Sequence, residues 1–320
     1  MLILNRKVSK IGYAASWVKN VVFRITFRIV GEKKFKRKQY YGKKIKEIDE
    51  TNNLIIEMIE SGKPFIVSRF GSTELRTVVN GIERKLGFRK NYSAKISDAI
   101  CSCSGFFPVS TEKLDEFTEL FLSASEDVDV FAVWFNLMED YVIHTFAPES
   151  KLVELEAIEP YRSDNPWSQA LEGKKVLVVH PFTESIEYQK KFFDKLFDDK
   201  RVLPSFELIT YKSVQSLGGN KNYSSWFDAL DAMVDDIKQI DFDIAIVGCG
   251  AYGMPLASQI KQMGKQVIHL AGATQILFGI RGSRWDSRPE MQKYFNEYWI
   301  RPSESEKPQN AERVEKACYW

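Results

Sequence analysis

Six stretches of the chain concentrate apolar and β-branched residues over strand length: FIVSRF (65–70), DVDVFAVWF (127–135), KVLVVHPF (175–182), FELITYKSV (206–214), DFDIAIVGCG (241–250) and QVIHLAG (266–272). Between them the apolar period lengthens to that of a helix. Ile48, Ile55, Met58 and Ile59 form one stripe, which stops at the turn Ser61-Gly62-Lys63-Pro64. A helix opens at Ser72, another runs from Ser185 to Phe197, and a third over 224–240 puts Trp226, Leu230, Met233, Val234 and Ile237 on one face. The run after Gly250 is helical to Met263-Gly264. Strands alternating with helices, several apolar enough to be covered on both sides, predict an α/β fold: a Rossmann-like open, mostly parallel sheet with helices on both faces. Residues 91–126 show no period that assigns them.

The first 46 residues differ in kind. They hold fourteen Lys or Arg and one acid, Glu32, a net charge of +13 against −11 for the rest of the chain. Within them Val18, Val21, Val22, Ile25 and Ile29 fall on one side of a helix, with Asn20, Arg24 and Arg28 on another and Trp17, Phe23 and Phe27 suited to a water–lipid boundary. Lys19, Arg24 and Arg28 interrupt the apolar run, so no spanning helix is expected, and no cleavage site marks a signal peptide. The pattern predicts an interfacial helix followed by a polybasic patch, EKKFKRKQYYGKKIK, for an anionic membrane surface. The other readings are a helix packed on the body and, third, a nucleic-acid arm; nucleic acid is not the expected partner. The chain then divides into a basic amphipathic arm (1–46), an α/β domain (47–300) and a C-terminal tail (301–320). A chain begun near Lys46 is expected to stay folded. The tail ends in Cys-Tyr-Trp, which is expected to dock on the domain.

Hydrophobic residues at 44% and charged residues at 28% exclude a disordered or fibrous chain. Cys101, Cys103, Cys249 and Cys318 form neither a disulfide ladder nor a zinc pattern, which places the expected compartment in the cytoplasm, at the inner face of the plasma membrane.

Ligands of an open parallel sheet bind beyond the carboxyl ends of its strands. Four loops there carry candidate chemistry. In SRFGSTEL, Arg69, Gly71, Ser72, Thr73 and Glu74 surround a helix start suited to a phosphate, with Ser72 as the expected N-cap. In HPFTESIEYQ, His180 ends a buried strand and Glu184 opens the next helix. In VGCGAYGMPLA, Gly248, Gly250 and Gly253 spell GxGxxG, with Tyr252 inside the turn. A dinucleotide site also wants an acid at the end of the next strand, where His269 and Leu270 stand instead. In GATQILFGIRGSRWDSR, Gln275 follows the last strand, and Arg281, Arg284 and Arg288 cluster around Trp285, a combination suited to a diphosphate and a stacked ring.

These loops, in this order, resemble the GT-D type of bacterial glycosyltransferases over about residues 50–290. Arg69-Phe70-Gly71 matches that family's arginine-aromatic-glycine run, and Glu74 matches the glutamate of its Asp-x-Glu motif, with Ser72 in place of the aspartate. The turn GCGAYGMPLA and the following GKQVIHLAGATQ look like its last βαβ unit. The resemblance implies a sugar transfer from a nucleotide-diphosphate sugar to a glycan or lipid-linked acceptor in surface polysaccharide biosynthesis. Glu74, His180 and Glu184 are then the catalytic candidates. The glycines and arginines, with Gln275 and Trp285, hold the donor. A divalent metal, Mn or Mg, is left open, with Glu74 as the one candidate ligand after the loss of the aspartate. The alternatives are a GxGxxG-dependent methyltransferase or oxidoreductase, and a non-catalytic nucleotide-binding scaffold of a glycan assembly complex.

Overall fold

The computed structural model describes residues 4, 8–30, 37–216, 222–309, 311–313 and 316–320. Nine strands form one sheet: β1 (Gln39–Tyr40), β2 (Lys43–Lys46), β3 (Phe65–Ser68), β4 (Val130–Val133), β5 (Lys151–Glu154), β6 (Lys175–His180), β7 (Glu207–Lys212), β8 (Ile244–Val247) and β9 (Gln266–His269). Their order across the sheet is β1-β2-β5-β4-β3-β9-β8-β6-β7. The pair β1–β2 is antiparallel and every other pair is parallel. All six strands read from the sequence are present, so the α/β class holds.

The longer helices are α1 (Lys10–Val30), α2 (Ile48–Glu60), α3 (Ser72–Lys85), α4 (Ala94–Ser104), α5 (Thr111–Glu126), α6 (Glu139–Phe146), α7 (Thr183–Gln189), α8 (Trp226–Ile237), α9 (Gly253–Gln262) and α10 (Ala273–Leu277). The period-2 alternation of each strand separates two cores. Ile66, Phe131, Leu177, Ala245 and Val267 face one side with α3, α5, α6, α8 and α9. Phe65, Val130, Val176, Ile244 and Ile268 face the other with α2, α7 and α10. Strands β3, β4, β6, β8 and β9 are buried on both faces, and for that reason their sequences lack an amphipathic alternation.

The unreadable stretch 91–126 is α4 and α5. Each starts at a serine cap: Ser93 Oγ accepts from Ile96 N at 3.4 Å, and Ser110 Oγ from Lys113 N at 3.2 Å. The helix expected over 185–197 is instead α7 followed by short turns, and its start at Thr183 precedes the expected one.

The N-terminal boundary differs from the expected one. β2 pairs in parallel with β5, so residues 39–46 extend the sheet, and Tyr40 and Ile45 are buried. Helix α1 packs on the body through polar contacts: Asn20 Nδ2 donates to Asp140 Oδ1 at 2.8 Å, Tyr13 OH donates to Glu83 at 2.8 Å, and the Ser16 and Tyr41 hydroxyls lie 2.5 Å apart. Arg37 forms an ion pair with the fully buried Asp140. A chain begun near Lys46 therefore lacks β1 and most of β2 and leaves the buried Asp140 without Asn20 and Arg37, so it is expected to be destabilised. The polybasic residues 31–36 lie outside the described residues. Among those described, no helix is long and apolar enough to cross a membrane.

Candidate functional site

The strands ending near Arg69, His180 and Gly248 are all parallel, so their carboxyl ends share one edge of the sheet. Connectivity offers more than one place for a crevice along that edge, because helices leave on opposite faces after β9 and β8, after β8 and β6, and after β3 and β9, where Arg69 stands. After β3 the chain turns into α3 on one face; after its neighbour β9 it turns into α10 on the other. Two adjacent strands whose helices leave in opposite directions open a cleft between their ends. Arg69 stands on one side of the cleft between β3 and β9 and His269 on the other.

Arg69 is partly buried, its guanidinium 4.6 Å above the Trp134 ring at the end of β4. The indole N–H of Trp134 donates to Phe70 O at 3.1 Å, which fixes the ring as a floor. Burial lowers the Arg69 pKa; the charges of Glu74, Tyr319 and Glu139 oppose that, while Arg284 adds to it. The side chain stays cationic, as arginine does in proteins. It lies among two carboxylates, a phenol and a second guanidinium.

Glu74 is buried in the first turn of α3, and Ser104 Oγ, at the end of α4, donates to its Oε1 at 2.7 Å. The N-cap is Gly71, not Ser72; Ser72 is the first helical residue and makes no capping bond. A Cβ at position 71 would collide with the Glu74 carboxylate, so glycine is what lets that side chain fold back over the helix start. Thr73 lies partly buried between them.

The glycine motif is accounted for by packing. Gly248 lies against Thr274, whose Oγ1 would stand 2.5 Å from an added Cβ, and against Ala271 O at 2.8 Å. Gly250 takes a left-handed φ of 61°. Gly253 abuts the buried His269 ring, with no room for a Cβ. Tyr252 is core: its ring stacks on Trp226 at 4.7 Å and its hydroxyl lies 3.0 Å from Ser216 Oγ. The His269 Nδ1 lies 2.9 Å from Ser68 Oγ, and burial, with Arg69 nearby, brings its pKa down to about 3. It is a neutral packing histidine whose Nε2 has no partner.

The last loop is covered by the tail, which docks as expected. Arg284 N donates to Cys318 O at 2.9 Å, Gln275 Nε2 to Tyr319 O at 3.2 Å, and an Arg284 amino group to Tyr319 OH at 2.9 Å. Trp320 meets Phe182 edge-on at 5.7 Å. Trp285 is buried beside Tyr319, its ring not open for stacking. Arg281 is paired with Asp286 and lies over the Phe295 ring, while Arg288 is exposed.

His180 and Glu184 stand apart from this group. β6 lies three strand spacings from β3, roughly 14 Å. His180 is buried, its Nδ1 accepting from Phe182 N at 3.0 Å, and burial brings its pKa down to about 3. Glu184 is exposed and bound to Lys212 Nζ at 3.2 Å and Ser305 Oγ at 2.5 Å. The first N–H groups of its helix are capped by Glu306, which accepts from Glu184 N at 2.8 Å. The geometry joins Arg69, Gly71, Glu74 and Arg284, and sets His180 and Glu184 outside that group.

Sequence reading singled out neither Trp134, inside its expected strand 127–135, nor Glu139, four residues beyond that strand. Glu139 is fully buried; its Oε2 accepts from Tyr40 OH at 2.9 Å and from the N–H groups of Trp134 and Phe135 at 3.2 and 2.8 Å, while Oε1 has no partner. It holds a turn in which Phe135 and Met138 both take positive φ, 63° and 66°, a conformation costly for side chains of this size. The signal was two adjacent acids, Glu139 and Asp140, in the turn that follows the strand. Burial pushes the Glu139 pKa up to about 7 against these hydrogen bonds. Because the folded-state value is raised, its contribution to stability is whole below the ordinary carboxyl pKa of 4.5 and is lost as pH rises through about 7. The unfolding free energy from urea titrations should therefore fall between pH 5 and pH 8, by up to about 1.4 kcal/mol per pH unit below the titration, and Glu139→Gln should flatten that slope. Parallel curves for the two proteins would refute the assignment.

Among the described residues no group of three or more His, Cys, Asp or Glu is placed to hold a metal ion. Glu74 is a single carboxylate with one oxygen bound to Ser104, and Ser72 adds no second. This donor set does not fit a divalent ion held by the protein. Two cavities, of about 710 and 390 Å³, lie at the amino edge of the sheet, lined by residues such as Glu60, Glu172 and Ser205 or Asp129 and Lys151. They hold no comparable cluster of buried charge.

The fold defines the chain as an α/β protein of the doubly wound kind, with Arg69, Glu74 and Arg284 gathered at the carboxyl edge where β3 adjoins β9. No family model matches it, and no curated protein does. Two solved structures are similar to it: a selenomethionine form of domain of unknown function 1792, at 14% identity and TM-score 0.42 over 72% of this chain and 79% of that one, and a structure of the same domain described as having a distinct glycosyltransferase fold, at 13% identity and TM-score 0.41 over 72% and 78%.

Proposed function

We propose that the protein is a glycosyltransferase that takes a nucleotide-diphosphate sugar at the carboxyl edge of β3 and β9 and passes the sugar to a glycan or lipid-linked acceptor. The observation that carries this reading is the Arg69 guanidinium, held over Trp134 within the field of Glu74 where β3 adjoins β9. A partly desolvated arginine is a strong partner for a diphosphate, and its attraction grows as negative charge develops on the departing phosphate. In the transfer, the acceptor oxygen forms the new bond to the anomeric carbon while the bond from that carbon to the diphosphate breaks. Glu74 takes the acceptor proton as general base. Arg69, with Arg284 beyond Tyr319, meets the charge left on the nucleoside diphosphate.

The close contacts of Gly248 and Gly253 favour packing over a dinucleotide cradle, which weighs against the methyltransferase and oxidoreductase readings. The test is calorimetric titration with uridine, guanosine and thymidine diphosphate sugars. One of them should bind, and Arg69→Ala should weaken that binding by at least tenfold with little change in melting temperature. No binding to any of the panel overturns the proposal, and binding with no turnover on any acceptor assigns the scaffold role.

A further inference from the structure

Helix α1 presents an apolar stripe to solvent. Ile11, Val18, Val22, Ile25 and Ile29 are 85%, 55%, 56%, 54% and 79% exposed. At 100° per residue they fall within about 60° of one another, along roughly 27 Å of helix. The opposite face is committed: Tyr13, Ser16 and Asn20 are buried against the body, and Phe23 and Phe27, expected at a lipid boundary, are partly buried and stacked on each other at 6.2 Å. Lys10 and Arg28 stand on one shoulder of the stripe and Lys19 on the other, about 80–100° from its centre. No Asp or Glu occurs anywhere in the helix.

We infer that this face is a docking surface for an anionic lipid bilayer, on which α1 lies flat with the body above it. The orientation follows from the contacts: the side that would face water in a lone amphipathic helix is here occupied by the protein, so the exposed stripe is what remains for a partner. Its spacing of seven, four, three and four residues also suits a helical seam with a second copy of the chain. Charge decides between the two. A second copy brings Lys19 and Arg28 against other cations, with no acid on either helix to offset them. An anionic headgroup layer complements the shoulders while the stripe enters the acyl boundary, and long cationic side chains reach the headgroups from that depth. The cationic excess of the first 46 residues adds to the same attraction, less Arg37, which is buried against Asp140, and Lys44 and Lys46, which pair with Glu50. This inference stands apart from the sugar-transfer reading, since it uses no residue of the crevice.

The experiment is vesicle co-sedimentation of the full chain, with phosphatidylcholine vesicles and with vesicles containing 30% phosphatidylglycerol, at low and high salt. The intact protein should sediment with the anionic vesicles only, and less as salt rises. The doubly substituted Val22→Glu/Ile25→Glu protein changes only exposed positions. It should keep its melting temperature and nucleotide-sugar binding and lose at least tenfold in vesicle affinity; Lys19→Glu/Arg28→Glu should lose binding as well. Failure of the intact protein to bind anionic vesicles at low salt overturns the inference, as does undiminished binding of the Val22→Glu/Ile25→Glu protein. A dimer in sedimentation equilibrium that this double substitution dissociates, without vesicle binding, reassigns the face to a second copy.

Discussion

Glu74→Gln is expected to lower sugar transfer by roughly 10²- to 10⁴-fold, the usual scale for removing a general base. The amide keeps the volume of the carboxylate and can still accept the hydrogen bond from Ser104 Oγ, so folding should change little. What it loses is the ability to take a proton and the charge set against Arg69. Glu74→Ala is the poorer probe. It also removes a buried hydrogen bond and a dipole-favouring group, costs of about 1 kcal/mol each. Single-turnover rates with a bound donor measure the first effect and thermal unfolding the second. Equal, small changes in both would leave Glu74 as a structural residue of the α3 start and remove the general base from the proposed reaction.

Asp140→Ala should be among the most damaging single substitutions for stability, at about 3–5 kcal/mol, because it leaves the Arg37 charge and the Asn20 amide without their buried partner. Arg37→Met/Asp140→Leu removes both charges and should recover much of that loss, since apolar groups can replace a buried pair at little cost. Urea unfolding of the three proteins distinguishes these outcomes. If Asp140→Ala unfolds within 1 kcal/mol of the parent, the contact does not hold α1 to the body, and the N-terminal segment is a separate arm after all.

Five of the six strands read from the sequence, β3, β4, β6, β8 and β9, were legible because each is buried on both faces and so carries an apolar run. The sixth, β7, is an edge strand of half-buried residues that was legible from its β-branched and aromatic content. The three that were not legible are peripheral in the pattern sense. KKIK offers one apolar residue, and it becomes β2 because β5 supplies a pairing edge and Tyr40 and Ile45 find buried places. KLVE is bounded by charges and is held by β4 and β2 on either side. The helices of 91–126 were not read; their caps Ser93 and Ser110 were the signal available, and their apolar residues pack in a cluster of aromatic residues rather than along one stripe: Phe106, Phe117 and Trp226 converge from three segments.

The candidate site divides in the same way. Arg69, Gly71, Glu74 and Arg284 were found from the rule that loops after parallel strands bear chemistry, and that rule is topological. It places every such loop on one edge but cannot say which strands are neighbours. Only the strand order put β9 beside β3, brought Arg69 near His269, and moved His180 three strands away. Only packing turned GxGxxG from a phosphate cradle into contacts with Thr274 and His269. The amphipathic helix 10–30 and its cations were fixed by the local sequence, since a helix wheel depends on neighbours in the chain. Which of its faces meets the protein was decided by Asp140, Glu83 and Tyr41, residues between 25 and 120 positions further along than their partners. Period and composition act locally and determine the elements; partners distant in the chain determine which elements adjoin, which charges are buried, and where a crevice opens.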